Sequence, residues 1–219
     1  AEAERLAAGT ANSLVWVSSD TLIVRPPELF ELGLSHDAAF RPVHIRNVGL
    51  PATAPLDGFW SRVCDAVWLS DIDQLVESYV DGQTIRAYFN SHSFSVNPTL
   101  GLLRAWRESF EETVSDNEFQ AGPCSDEIHR VFLHQAVLSA VIVRSVLPGR
   151  LRILPPEYSY PYNLHSSIPD ERRAKSLDDL VTVVYEGRSL DPGDMTDIQV
   201  GPELRSWLLA NGRPGPVSV

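Results

Sequence analysis

Three groups of polar side chains interrupt apolar stretches of this chain, and their types can do chemistry. Residues 18–20 (SSD) separate the apolar run SLVWV from TLIV, so a carboxylate is held between two strand-like segments. Asn90 and Ser91 end the apolar segment IRAYF and can donate and accept hydrogen bonds. His134 and Gln135 interrupt a largely apolar helical pattern, where a neutral histidine can serve as donor or base near pH 7. These positions are the candidates for a polar binding site.

The surrounding sequence predicts alternating strands and helices that would position these groups. SLVWV is typical of a buried parallel strand, and further strands are predicted at TLIV, AAFRPVHI, LRIL and LVTVVYEG. PPELFEL predicts a turn that enters a single helical turn. The segment around Asp81-Gly82 predicts a hairpin. Helices are predicted for AEAERLAA, for the segment capped by Asp57, for the segment after Pro98, for DEIHRVFLHQAVLSAVIVRSVL, and for PELRSWLLAN with Gly212 as its stop.

This order predicts an α/β layered domain with a mixed, mostly parallel sheet flanked by helices. In parallel sheets of this kind, ligands bind beyond the carboxyl ends of the strands. Residues 18–20 occupy such a position if SLVWV is a strand.

Composition limits the functional classes. The chain has 219 residues, 43% of them hydrophobic, which predicts one globular domain over residues 1–219. Its net charge of -11 argues against nucleic acid as a partner, because binding phosphates needs clustered Lys and Arg. No apolar stretch predicts a membrane span and no signal sequence is evident, so a cytoplasmic protein is expected. Cys64 and Cys124 are expected to be reduced core thiols, although one bridge between them is an alternative.

Three segments, in order, resemble signatures of the GT-A fold glycosyltransferases. VWVSSDTLIVRPP is similar to the segment in which a strand delivers an Asp-x-Asp triplet. YFNSHSFSVNPTLGLLRAW resembles the Phe-Asn-Ser signature, and FLHQAVLSAVI followed by RILPPEYSYPYNLH resembles the Asp-Gln helix and its Leu-Pro-x-x-Tyr-Asn loop. The order resembles the retaining, glycogenin-like branch over residues 13–187, and residues 188–219 would be a C-terminal extension with a short helix.

The resemblance implies an enzyme that transfers a sugar from a nucleotide-sugar donor to an acceptor that the sequence does not specify. A divalent cation, Mn or Mg, would neutralise the diphosphate leaving group, with Asp20 as its ligand. The residues implied to bind the donor are Ser18, Asn90, Ser91 and His92. Those implied to act in catalysis are His134, Gln135 and Asn90.

The sequence also departs from the family pattern. Ser18 stands where the first Asp belongs, and Tyr185 stands where a metal-binding His is expected, with Glu186 beside it as a possible replacement. His92 stands where glycine is common, and His134 replaces an Asp. The strands that hold the nucleotide at the front of such domains are also expected to be missing, since few residues precede Leu14.

These departures leave two alternatives open. The chain could be a degenerate relative that binds a glycan or a protein, with Tyr158, Tyr160 and Tyr162 stacking on sugars or simply packing the loop. It could also be an unrelated α/β domain, in which Asp20 and Asn90 would lie apart. The carboxylate pattern at Asp71 and Asp73 is interpreted as unrelated to the site. The acidic pairs 111–112 and 178–179 are interpreted as solvated faces, and His165 is a further histidine after the tyrosine-rich loop.

Overall fold

The computed structural model describes residues 1–211 as an α/β protein with mixed sheets flanked by helices. The helices are α1 (Glu2–Ala7), α2 (Gly58–Asp65), α3 (Leu102–Ser115), α4 (Asn117–Ala121), α5 (Glu127–Ser145) and α6 (Pro202–Asn211). The strands are β1 (Leu14–Val17), β2 (Thr21–Ile23), β3 (Ala38–Phe40), β4 (Leu75–Glu77), β5 (Thr84–Arg86), β6 (Ser93–Val96), β7 (Leu151–Ile153), β8 (Tyr160–Pro161) and β9 (Thr182–Val184). The predicted stop at Gly212 lies outside the described residues.

The strands form two principal sheets of mixed direction. In the larger sheet, β1–β6–β3–β7, strand β6 is antiparallel to both neighbours and only β3 and β7 run parallel. In the smaller sheet, β2–β9–β8, β9 is antiparallel to β2 and parallel to β8. The predicted α/β class is therefore confirmed. The prediction of a mostly parallel sheet is wrong, because hydrophobic patterning identifies strands but does not fix the direction of their neighbours.

Strand β1 also differs from the prediction of a buried parallel strand. It lies at the edge of the larger sheet, antiparallel to β6, with Val15 42% and Trp16 49% exposed. A continuous apolar run does not by itself distinguish an edge strand from a central one.

Helices α2, α3 and α5 pack with the larger sheet in one hydrophobic core. The Phe40 and Phe94 rings of the sheet stack at 4.7 Å within it. On α5 every side chain from Gln135 to Ile142 is buried, so the middle of this helix is enclosed on all sides. Side-chain caps begin two of these helices, since Asp57 accepts from the Trp60 amide at 2.8 Å and Asp126 from the His129 amide at 3.0 Å. The predicted cap at Asp57 is thus confirmed.

The tyrosine-rich loop packs inward. Tyr158, Tyr160 and Tyr162 are all buried, and the Tyr160 hydroxyl lies 2.7 Å from Nδ1 of buried His165. The packing interpretation of these rings is therefore confirmed, and this loop presents none of the three rings to a glycan.

The predicted hairpin is present as β4 and β5, and Gly82 in its turn has a φ of +60° that favours glycine. The following segment departs from the prediction. Strand β5 ends at Arg86 and β6 begins at Ser93, so Asn90 and Ser91 precede a strand instead of ending one. Phe89 pairs only through an isolated bridge with Pro42.

Several local predictions can also be checked. Cys64 and Cys124 are free and buried, as expected. Asp71 pairs with Arg86 at 2.7 Å, which gives it a structural role. The solvated interpretation is wrong for Asp178, because its carboxylate accepts from the Gly201 amide at 2.6 Å. Within residues 1–211, every helix is too short or too polar to cross a membrane.

Candidate functional site

The carboxylate between the first two strands sits in a tight turn. The Ser18 hydroxyl hydrogen-bonds the Asp20 carboxylate and lies 2.9 Å from Oγ1 of Thr21. The Ser18 amide donates to the backbone carbonyl of His92 at 2.7 Å. The turn is therefore fixed internally and tied to the segment that precedes β6.

Antiparallel pairing brings the turn and this segment together. Val17 at the end of β1 pairs with Ser93 at the start of β6. Residues 18–20 and 90–92 consequently meet at one edge of the larger sheet. Asp20 and Asn90 both contact His92 here, and antiparallel pairing, not the carboxyl ends of parallel strands, brings their segments together.

Asn90 is buried at this corner and its amide is occupied by the protein. Its Oδ1 accepts from the His92 amide at 2.7 Å, which identifies the oxygen, and its Nδ2 faces the His44 ring at 3.0 Å from Nε2 and 3.4 Å from Nδ1. Asn90 therefore positions its neighbours.

The buried partner of Asn90 is His44, which the sequence analysis did not single out. His44 Nε2 lies 2.7 Å from the Ser159 carbonyl, and since a carbonyl only accepts, Nε2 carries the proton. Burial, together with smaller electrostatic contributions from His92 and Arg41, lowers the pKa of His44 from 6.5 to about 3. The His44 ring is neutral at physiological pH.

His92 links the turn to the corner. Its Nδ1 lies 3.7 Å from Oδ1 of Asp20, and its ring lies nearly parallel to that of His44 with centroids 6.0 Å apart. The side chains of His92 and Asp20 are 23% and 28% exposed, so a ligand can reach both. Where the family resemblance implies a glycine, this chain therefore places an imidazole beside the carboxylate.

The His134–Gln135 pair meets the corner from α5. Helix α5 begins at Glu127, in agreement with the predicted segment DEIHRVFLHQAVLSAVIVRSVL, so the pair lies within the helix. His134 Nδ1 lies 2.9 Å from the Val131 carbonyl, which leaves Nε2 facing the Ser91 hydroxyl at 3.2 Å. Gln135 Oε1 accepts from the amide and hydroxyl of Ser91 at 3.3 and 3.2 Å. Burial lowers the pKa of His134, which favours a neutral ring that can accept a proton at Nε2.

A fourth segment, after β9, completes the edge. The Tyr185 amide donates to the Asp20 carbonyl at 3.0 Å, and the Tyr185 hydroxyl donates to the Ser19 carbonyl at 3.1 Å. Glu186 accepts from Asn163 Nδ2 at 2.6 Å and has a φ of +26°, which is disfavoured for a residue with a Cβ. Glu186 is the residue that the sequence analysis named as a replacement for the missing metal-binding histidine, and its backbone is strained.

A small cavity of about 100 Å³ lies among these segments, with Asn90, His92, Gln135, Asn163 and Glu186 in its lining. It is smaller than the roughly 300–1,000 Å³ of pockets that enclose a whole drug-sized ligand. It can hold part of a ligand, such as the hydroxyl rim of a sugar.

The remaining predicted residues surround this cavity without lining it. Asp20 lies 3.7 Å from His92, and His92 lines the cavity. The Ser91 hydroxyl lies 3.2 Å from both His134 and Gln135, and Gln135 lines the cavity. The predicted site residues therefore lie in one connected cluster. Together with His44 and Glu186 from the cavity lining, they form what we name the polar corner: Ser18, Asp20, His44, Asn90, Ser91, His92, His134, Gln135 and Glu186.

The polar corner does not fit the cation that the family resemblance implies. Within residues 1–211, no group of three or more His, Cys, Asp or Glu side chains is arranged to hold a metal ion. Asp20 supplies one carboxylate, and its neighbours Ser18 and His92 supply a hydroxyl and an imidazole. A hard cation such as Mg²⁺ prefers several oxygen ligands in octahedral geometry.

Two residues that line the cavity, His44 and Asn163, were not predicted as site residues. His44 lies in the segment RPVHI, and the sequence predicts only that this segment belongs to a strand. Asn163 lies in the PYN segment quoted for the family resemblance, and that was its only signal.

Comparison with known proteins does not identify this arrangement: no protein-family model, no curated protein and no solved structure gives a significant match to the chain.

Proposed function

We propose that the polar corner is the sugar-binding part of a nucleotide-sugar-dependent glycosyltransferase site with a GT-A-like arrangement. The observation that carries the proposal is the joining of residues 18–20, 90–92 and 134–135 through direct contacts at one sheet edge. The three segments are those that resemble successive signatures of that family. The donor is a sugar linked to a nucleoside diphosphate, and the acceptor is a hydroxyl compound.

The roles follow from the chemistry of each group. Asp20 accepts hydrogen bonds from hydroxyls of the donor, and His92 offers a ring N–H to phosphate oxygens. In the transfer, a bond forms between the acceptor oxygen and the anomeric carbon, and the bond to the diphosphate breaks, with its electron pair leaving on the diphosphate. The proton of the acceptor hydroxyl passes to the Ser91 hydroxyl, which gives its own proton to His134 Nε2 at 3.2 Å, since His134 Nδ1 is held by the Val131 carbonyl. No step in this scheme uses a metal ion.

A matched pair of variants tests the proposal. We expect slow release of nucleoside diphosphate from at least one donor in a panel of UDP-, GDP- and ADP-sugars. Asp20→Asn should lower that release about tenfold or more, because losing a hydrogen bond to a charged group costs roughly 1.5–3 kcal/mol. Asp73→Asn, at an exposed carboxylate, is the control and should retain the rate. No release from any donor, or equal rates in both variants, would contradict the proposal.

A second candidate is a degenerate glycosyltransferase-like domain that binds glycan without nucleotide. Within residues 1–211 no group of three or more His, Cys, Asp or Glu side chains is arranged to hold a metal ion, and the cavity measures only about 100 Å³. Both observations favour this candidate, since they suit a few sugar hydroxyls better than a whole donor. A glycan array probed without nucleotide discriminates the two. Specific binding there, together with no donor turnover, would support the second candidate over the first.

A further inference from the structure

A larger groove lies apart from the polar corner. It measures about 660 Å³ and is formed by the segment after β3, by β4, by the segment after β7 and by residues 171–172. We name it the Arg41 groove, after the side chain that distinguishes it. Its volume falls within the range of roughly 300–1,000 Å³ typical of small-molecule sites.

Arg41 lines this groove as a buried cation. It is 6% exposed, and its Nε and Nη2 atoms are enclosed without a hydrogen-bond partner among residues 1–211. Because Nε and Nη2 are sealed from solvent, a ligand in the groove would have to contact Nη1. The guanidinium lies over the Tyr79 ring at 4.7 Å, a contact that orients it but supplies no anion. Buried charges are ordinarily paired, so an unpaired guanidinium lining a cavity indicates an anionic ligand.

The protein does not neutralise Arg41 from within the described residues. Glu77 is engaged by Arg172 at 2.7 Å. Glu157 also lines the groove and acts on Arg41 electrostatically, but it forms no salt bridge with it. Burial lowers the pKa of Arg41 from 12.5 to about 10, which leaves the side chain charged at neutral pH.

The other side chains of the groove limit which kind of anion can bind there. Glu77, Glu157 and Glu171 all lie in its lining, so a doubly charged phosphate would meet several like charges. Apolar surface is contributed by Pro42, Val76 and Ile153. A singly charged carboxylate on an apolar stem suits this combination best, because it pairs with Arg41 and buries its stem against the apolar wall.

We propose that the Arg41 groove binds small organic carboxylates, with the carboxylate on the Arg41 guanidinium and an apolar stem against Pro42, Val76 and Ile153. The proposal does not depend on the function of the polar corner.

The test uses propionate as the probe and propionamide as its neutral counterpart. The full chain labelled with ¹⁵N is titrated with each, and the Arg Nε–H and backbone amide signals of the groove are followed. Propionate should shift these signals saturably, propionamide should not, and inorganic phosphate should bind more weakly than propionate. Equal shifts with propionate and propionamide, or tighter binding of phosphate, would overturn the proposal.

Two variants separate specific binding from general anion effects. Arg41→Met should abolish the saturable shifts, and unchanged binding would overturn the proposal. Glu157→Gln keeps Arg41 and should tighten propionate binding about two- to threefold, since one like charge near the site is removed. Unchanged or weaker binding in this second variant would also count against the proposal. Asp20→Asn, at the polar corner, should leave propionate binding unchanged.

Discussion

The acid sensitivity of this fold should depend on His44. The ring is buried and donates from Nε2 to the Ser159 carbonyl, and burial lowers its pKa from 6.5 to about 3. The unfolded chain takes up a proton at His44 as the pH falls below about 6.5, whereas the folded chain does so only near pH 3. The associated stability is therefore fully present above pH 6.5 and is lost progressively as the pH falls from 6.5 towards 3.

The size of this effect follows from the two pKa values. At pH 5 the loss attributable to His44 is about 2 kcal/mol of unfolding free energy, from roughly 1.36 kcal/mol per pKa unit. His44→Gln removes the titration but keeps an amide that can donate to the Ser159 carbonyl. The variant should lose stability at pH 7 through imperfect packing, yet it should lose about 2 kcal/mol less than the parent between pH 7 and pH 5.

Urea unfolding followed by tryptophan fluorescence at pH 7, 6 and 5 measures the difference, and the chain has 5 tryptophans to report it. His36→Gln, at a partly exposed histidine, is the control and should keep the pH dependence of the parent. Equal losses in the parent and in His44→Gln would refute the reasoning, because they would mean that His44 is protonated in the folded protein as readily as in the unfolded chain.

Two further predictions concern stability. Asp57→Ala should lower the unfolding free energy by about 1 kcal/mol in urea, because it removes the cap on the Trp60 amide. Asp65→Ala, at the exposed far end of the same helix, should leave the unfolding free energy unchanged. Equal losses in the two variants would refute the capping role. Arg41→Met should raise the unfolding free energy by about 1–2 kcal/mol, since burial of the unpaired charge costs roughly 3 kcal/mol and only part is offset by the contact with Tyr79. Arg107→Met, at an exposed arginine, is the control and should change the unfolding free energy by less than about 0.5 kcal/mol. A marked destabilisation by Arg41→Met would contradict the prediction, because it would show that Arg41 is well paired.

The sequence predicts the local elements of this fold better than their arrangement. The cap at Asp57, the glycine turn at Gly82 and the long, largely apolar helix α5 are local signals, and each is confirmed. Strand direction depends on tertiary pairing, so the apolar run of β1 gave no sign that it is an exposed edge strand antiparallel to β6.

In the candidate site, too, residues with a local sequence signal could be predicted and residues defined by tertiary contacts could not. Asp20, Asn90 and His134 were identifiable because each is a polar residue in an apolar context. His44 was not, because its role depends on Ser159, which lies 115 positions along the chain and reaches it only in the folded protein. The unpaired state of Arg41 likewise could not be predicted, since it depends on which carboxylates lie within hydrogen-bonding distance of the guanidinium in the folded protein.

The most direct test of the central claim is calorimetric titration of the protein with UDP, GDP and ADP, each with and without MnCl₂. The polar corner should give saturable binding of at least one of these diphosphates without manganese, and Asp20→Asn combined with His92→Ala should abolish it. Absence of binding heat for all of them, or undiminished binding in the double variant, would contradict the claim that residues 18–20 and 90–92 form a site for a nucleotide-linked sugar.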